Sequence, residues 1–207
     1  MLKPSLRLLA ALLAVVTFAS PAAAAPTTWK VDPNHTEVGF EVRHFFSKVH
    51  GVFHDMQGTI VFDEQDPTAI KIEAVARVRS VDTGNQKRDA HLQTADFFNA
   101  ERDSLLSFRS AKVERAGKNK FKISGDLTMR GVTKPVVFDA EFLGSSDVSI
   151  EGKAYGAKAG FSATTVVNRK DYGINWNKTL DNGGTVLDDN VTIILNIEAD
   201  KVQDKIQ

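Results

Sequence analysis

The 207-residue chain has no cysteine, only two tryptophans, two tyrosines and three methionines, and no excess of charge of either sign. Without cysteine there can be no disulfide, no thiolate metal ligand and no thiol nucleophile. With 26 basic against 26 acidic side chains, no basic field exists to attract nucleic acid or anionic headgroups. A glycine-rich phosphate loop, an H-E-x-x-H zinc helix and a G-x-S-x-G nucleophile elbow are also missing. No Pro/Ser-rich linker, repeat or low-complexity stretch divides the chain, so one domain is expected. Long apolar runs are missing too, with one exception at the N-terminus.

There, Lys3 and Arg7 flank the start of an apolar run from Leu8 to Ala19, broken only by Thr17, and Ala22-Ala23-Ala24 offers a small-x-small cleavage site. That is the order of a secretory signal peptide. The run is too short for a membrane span, which needs roughly 20 residues. Residues 1–24 are therefore expected to be removed on export. The remaining domain, residues 25–207, is expected to be soluble and periplasmic or secreted. Cleavage removes two basic groups and no acidic ones, leaving 24 against 26, a net charge of −2. A domain of this size buries about 70% of its unfolded surface, enough to hold together without disulfides.

What the rest of the chain has is alternation. Val38, Phe40 and Val42 alternate with polar neighbours, as do Ile60 and Phe62 after a turn read at Gly58. The same period recurs at Ile70, Ile72, Ala74, Ala76 and Val78, at Leu106 and Phe108, and at Phe121, Ile123, Leu127 and Met129. It returns at Val136, Phe138, Ala140 and Phe142, at Phe161, Ala163, Thr165 and Val167, and at Val191, Ile193, Leu195 and Ile197. Period two with one dry face is the mark of antiparallel strands in a sandwich or barrel. Turn-like separators lie at Asp66-Pro67, Ala116 to Asn119, Arg130-Gly131, Gly144 to Asp147 and Asn182 to Gly184. Long strands with no doubly apolar run favour a barrel of about eight strands, whose interior is just wide enough for side chains or one slender ligand. The inward phase mixes phenylalanines with Ala74, Ala76, Ala140, Ala163 and Gly125. Such a mixture can fill a core or line a channel, and dense packing favours the filled core.

Two segments break the pattern. Gly84 and Asn85 supply a turn, and the stretch through Arg88, Asp89, His91 and Leu92 to Phe97-Phe98 reads as a short helix. A lone helix in a β-protein covers something. Asn168 to Asp189 is irregular, with Arg169, Lys170, Tyr172 and Trp176, and irregular stretches of this length are commonly functional. Four of five histidines, His35, His44, His50 and His54, lie close together in sequence. With Asp32, Glu37, Asp55 and His91 they have no recognisable metal-ligand spacing, so no metal is expected. Arg88, Asp89 and His91 could serve acid–base chemistry, but a paired network that positions the helix is the preferred reading.

The motifs are specific enough to carry a family resemblance. Trp29 to Thr36, Val38 to His44, Val49 to Phe53, Ser80 to Thr83, Arg88 to Leu92, Asp96 to Phe98, Phe108 to Ser110, Gly125 to Val136, Asn168 to Gly173 and Asp188 to Val191 together resemble the YceI-like family of polyisoprenoid-binding periplasmic proteins. The resemblance spans nearly the whole mature chain. Thr36 replaces a common serine, and Arg102-Asp103-Ser104 stands where a Tyr-Pro pair is usual.

The resemblance implies an all-β fold: an extended eight-stranded antiparallel barrel, lipocalin-like, with a short inserted helix. It reverses the filled-core preference and implies an apolar channel for an isoprenoid or other long-chain lipid. Phe40, Val42, Phe62, Ala76, Phe98, Phe108, Phe121, Phe138, Phe142, Phe161 and Trp176 would line it. His35, His44, His91 and Arg169 would form a polar mouth, and Arg88 and Asp89 would anchor the helix. The implied function is a carrier, not an enzyme, with no cofactor and no nucleic-acid partner. The alternatives are a module serving a membrane b-type cytochrome, or an enzyme acting on a prenyl or quinone compound through Asp89 and His91. Oligomeric state is left open, with a homodimer among the choices. The leader yields the first prediction: intact-mass measurement of exported protein finds a mature N-terminus within a residue or two of Ala25. A membrane-bound chain that keeps Leu8 to Val16 would overturn the soluble-carrier expectation.

Overall fold

The computed structural model describes residues 26–62, 66–181 and 183–203. The expected signal peptide and Asn182 of the expected glycine turn lie outside them. Among the described residues, eleven strands and one α-helix follow in the order β1 (Thr27–Val31), β2 (Glu37–His44), β3 (Ser47–Phe53), β4 (Met56–Phe62), β5 (Lys71–Arg77), β6 (Val81–Asp82), α1 (Gln86–Leu92), β7 (Leu105–Gly117), β8 (Lys120–Met129), β9 (Val132–Ile150), β10 (Lys153–Asn168) and β11 (Leu187–Lys201). Their pairing runs β1-β4-β5-β7-β8-β9-β10-β11, and β11 returns to β1. The eight-stranded antiparallel barrel expected from the alternation is thus closed.

The three short strands β2, β3 and β6 are continuations rather than additions. Trp29 and Val31 of β1 pair with Lys201 and Ala199 of β11, and β2 takes over from Asn196 down to Leu187. β3 and β4 likewise form one interrupted strand beside β2 and β1, and β5 and β6 a third. Each interruption has a local cause. Pro33 has no N–H for a ladder. Around it the loose groups are recovered: the Asp32 N–H donates to the Glu198 carbonyl at 2.9 Å, and the Asn34 N–H to the Asp32 carboxylate at 2.9 Å. At the second break the Arg77 N–H donates to the Asp55 carbonyl at 2.8 Å. At the third, a 3-10 turn over Val78–Ser80 buries Val78 completely.

Several local expectations change. Gly58 is not a turn but lies inside β4, where a Cβ would come 2.9 Å from Val31. Gly144 to Asp147 is not a turn either, since β9 runs through it and pairs with β10 beyond the barrel rim. The reversal falls at Glu151-Gly152, where both residues have the positive φ that a tight hairpin needs. The helix is shorter than the segment suggested. Asn85 caps it by accepting from the Arg88 N–H at 3.1 Å, and it stops at Leu92. Phe97 and Phe98 lie in the turns that follow, both buried.

The first kink carries a charge cluster. His35 Nδ1 lies 2.8 Å from Asp32, and Lys158 Nζ lies 2.6 Å from Asp200, 3.2 Å from Glu198 and 3.5 Å from Asp32. The hydrogen bond to Asp32, and the charges of Asp32 and Glu198, raise the exposed His35 imidazole above its ordinary 6.5. That stabilisation is present below the ordinary value and is lost as pH rises through the raised one. Asp32, held below its ordinary 3.8 by His35 and the Asn34 N–H, loses its share as pH falls through the lowered value. The cluster therefore supports the kink best in mildly acidic solution. His35→Gln should lower Tm relative to the parent at about pH 5.5, with the gap closing by about pH 8.5. A gap that widens with pH would refute this linkage.

Candidate functional site

The barrel interior holds a cavity of about 520 Å³. Small-molecule pockets run from about 300 to 1,000 Å³, and an apolar cavity of about 150 Å³ already accepts a benzene-sized guest. Its lumen is bounded by inward side chains of both halves of the sheet, among them Val38, Phe40, Val42, Phe53, Met56, Ile72, Leu106, Phe108, Ile123, Phe138, Ile193 and Leu195. The filled core favoured by packing alone is therefore not what this chain builds.

Aromatic rings set the shape. At the end away from α1, Phe62, Phe142 and Phe161 meet with centroids 4.8 to 5.8 Å apart. Trp29, Ala159 and Ala199 are buried in the same region of the barrel. This is a packed base. Along the wall, Phe108 meets Phe138 edge-on at 5.1 Å. Two glycines let rings lie flat against the sheet. A Cβ on Gly51 would sit 2.5 Å from Cε1 of Phe40, and one on Gly125 would sit 2.6 Å from Cζ of Phe108.

The other end is roofed by α1 and the irregular segment after β10. His91, Phe97 and Trp176 form a three-ring cluster with centroids 5.0 to 5.2 Å apart, and His91 Nε2 lies 2.8 Å from Asp96. Arg88 donates to the Thr83 hydroxyl at 2.7 Å and to its carbonyl at 2.8 Å. Asp89 accepts from the Thr83 N–H at 2.9 Å and from its hydroxyl at 2.5 Å. Both side chains thus fasten α1 to the end of β6. Arg169 is only 3% exposed. It donates to the carbonyls of Asp188, Ile174 and Trp176 at 2.7 to 2.8 Å and to the Asp189 carboxylate at 3.2 Å. Burial pulls its pKa down, opposed by Asp189 and Asp188. Arg130 donates to the carbonyls of Gly173 at 2.7 Å and Ala95 at 2.8 Å, tying the two roof segments together.

Phe40, Val42, Ala76, Phe98, Phe108, Phe121, Phe138, Phe142, Phe161 and Trp176 all border the cavity, whereas Phe62 sits behind Phe142 and Phe161. His44, Arg88, His91 and Arg169 border it at the roof, and Asp89 does not. His35 lies elsewhere: it is exposed at the β1–β2 kink and engaged with Asp32 outside the lumen. The sequence reading missed Lys87, which borders the roof, and Arg130, whose pairing with Gly131 signalled only a turn. It also did not foresee that Arg169 spends its donors on its own chain. Among the described residues, Asp32, His35 and Glu198 could bring metal-ligating atoms within 4.8 Å of one another, but the Lys158 ammonium already stands between these carboxylates.

A closed antiparallel barrel around a carbon-walled lumen defines the class. The chain belongs to the YceI-like family: the YceI-like domain model matches residues 29–199. It is 38% identical to a UPF0312 protein of Photorhabdus laumondii over 162 residues, 77% of this chain and 81% of that one. Its fold is that of Burkholderia cenocepacia BcnA, with TM-score 0.70 at 20% identity, covering 81% of this chain and 98% of BcnA. It also matches a polyisoprenoid binding domain from Saccharophagus degradans, with TM-score 0.60 at 12% identity, covering 86% of this chain and 99% of that one.

If flat rings keep the lumen open, Gly51→Ala should push Phe40 off the wall and cost about 1–3 kcal/mol in urea unfolding, the usual size of an overpacking effect. Adding Phe40→Leu should recover much of that loss. A Gly51→Ala protein as stable as the parent would show that the ring has room to move.

Proposed function

We propose that this protein is an exported carrier that holds one long-chain amphiphile, an isoprenoid or isoprenoid quinone, with its tail on the aromatic base and its head under α1. The observation that carries the reading is the carbon-lined lumen itself. Its base is a stack of phenylalanines, and its roofed end is bordered by Lys87, Arg88, His91 and Arg169. Burial of each methylene is worth about 0.8 kcal/mol, so a tail of ten buried carbons supplies about 8 kcal/mol, the range of a micromolar complex. No bond need be made or broken to hold such a ligand. The fold shared with a domain named for polyisoprenoid binding supports the reading. A flat quinone head is favoured by the His91, Phe97 and Trp176 rings, which offer stacking surfaces at the roof. Asp89 is engaged with Thr83 and His91 with Asp96, which favours a role for both in holding the roof.

Native mass spectrometry of gently purified protein, followed by organic extraction, should release one lipid per chain. Ala140 and Ala163 face each other across β9 and β10 and both border the cavity. Ala140→Phe and Ala163→Leu should therefore fill free space, abolish uptake of a prenyl alcohol and leave the melting of delipidated protein nearly unchanged. If instead both variants lose about 1–3 kcal/mol and still bind, the lumen is not the binding site.

A further inference from the structure

The turn between β2 and β3 is built against the usual chemistry of turns. His44 pairs with Ser47, so only Phe45 and Phe46 make the reversal. Phe45 takes φ +52°, and Phe46 is fully exposed at 104%. Tight hairpins with positive φ favour Gly, Asn or Asp, and a bulky residue there is an outlier. The other tight hairpins each carry an Asn or Gly with positive φ at their second turn position: Asn119 between β7 and β8, Gly131 between β8 and β9, and Gly152 between β9 and β10. Arg130 and Glu151 share the +52° of Phe45, so what sets the β2–β3 tip apart is a turn made of two phenylalanines with neither Gly nor Asn. A tight turn without Gly or Asn needs support from its surroundings. Here the bonds are present: the Phe45 N–H donates to the Val186 carbonyl at 3.0 Å, and Arg43 Nη1 donates to the Phe45 carbonyl at 2.9 Å.

The tip is also continuous with the cavity roof. His44 borders the cavity and packs edge-on against Phe45, with centroids 4.4 Å apart. Leu187, the next residue after Phe45's partner Val186, borders the cavity as well. Lys87 borders the roof and has no ion pair or hydrogen bond among the described residues. A pair of aromatic rings presented on a rigid tip, beside the mouth of a lumen shaped for a membrane-borne chain, is suited to the boundary between headgroups and acyl chains.

We propose that the Phe45-Phe46 tip is a membrane-docking element that seats the roofed end of the barrel on a lipid bilayer, where the ligand is taken up or released. This rests on the carrier reading above. The occupant is the bilayer itself because the proposed ligand's long apolar tail has no other reservoir in water.

The test uses the full mature protein and vesicles of phosphatidylethanolamine and phosphatidylglycerol. Flotation should carry the parent protein with the vesicles. Phe46→Asp should lower partitioning by about tenfold or more, the factor expected when one phenylalanine stays in water, while Phe46→Leu should retain most of it. Leu143→Asp, which alters an exposed apolar residue on the projecting β9–β10 hairpin, should float like the parent. Equilibrium binding of farnesol, a prenyl alcohol short enough to be delivered without vesicles, should be unchanged in Phe46→Asp. The proposal is overturned if the parent does not float, if Phe46→Asp floats equally well, or if Leu143→Asp loses as much. Farnesol bound by a parent that does not float would leave the carrier reading standing without the docking tip. Flotation lost on Phe46→Asp in a protein that binds no farnesol would leave the docking tip without the carrier reading.

Discussion

The lumen exists because one strand closes the sheet on itself. β11 pairs along one side with β10 and along the other with β1 and then β2. The hand-over from β1 to β2 occurs where Pro33 cannot join a ladder, and the Asp32, His35, Lys158 and Glu198 cluster bridges that gap from outside. Two reciprocal bonds between Thr36 and the Glu198 backbone, at 3.1 and 3.2 Å, keep the register on the far side of the kink. Without this closure β1 and β11 would be edges, and an open sheet cannot wall off an apolar space from water. The kink serves the cavity too, since it lets β2 and β3 continue the wall up to the roof.

Closure alone would give a packed core, because interiors normally fill to high density. This one stays open. Ala140 and Ala163 border the space with little bulk, Gly51 and Gly125 let the Phe40 and Phe108 rings lie back against the wall, and other rings gather at the base. Holding such a space empty would be costly. An apolar lining with nothing against it forfeits dispersion contacts. A ligand that fills the lumen would restore them and so add to the stability of the fold.

Most of the barrel was legible in the sequence because inward and outward residues alternate on most of its strands. The phase of Phe40, Phe108, Phe121, Phe138 and Phe161 identifies the cavity wall with no help from structure. What alternation cannot show is whether the interior is full, since the same pattern serves both cases; the family resemblance, not the periodicity, pointed to a channel. Gly58 and Gly144 to Asp147 were misleading for a common reason. Glycine and serine signal turns in the chain, yet in a curved barrel they also allow close approach and bulges inside strands. His35 was placed at the mouth on its chemistry alone, and only the pairing of β1 with β11 puts it on the outer kink. Arg169 looked like a headgroup ligand because sequence gives a side chain's charge but not the carbonyls waiting for it.

That last point bears on what the roof can recognise. Arg169 spends its donors on three carbonyls and one carboxylate, Arg130 ties the Gly173 and Ala95 segments, Arg88 is turned to Thr83, and His91 is paired with Asp96. The cations gathered around the roof are largely engaged in shaping it. Lys87 and the His44 ring remain beside the opening, together with the faces of Phe97 and Trp176. On the carrier reading proposed above, discrimination among ligands falls on the tail, through length and bulk against the aromatic base. The head needs only to tolerate a weakly basic, ring-lined opening. On that reading the ring faces of the roof suit a flat head without fixing its substituents, so the tail rather than the head group sets which chains are carried.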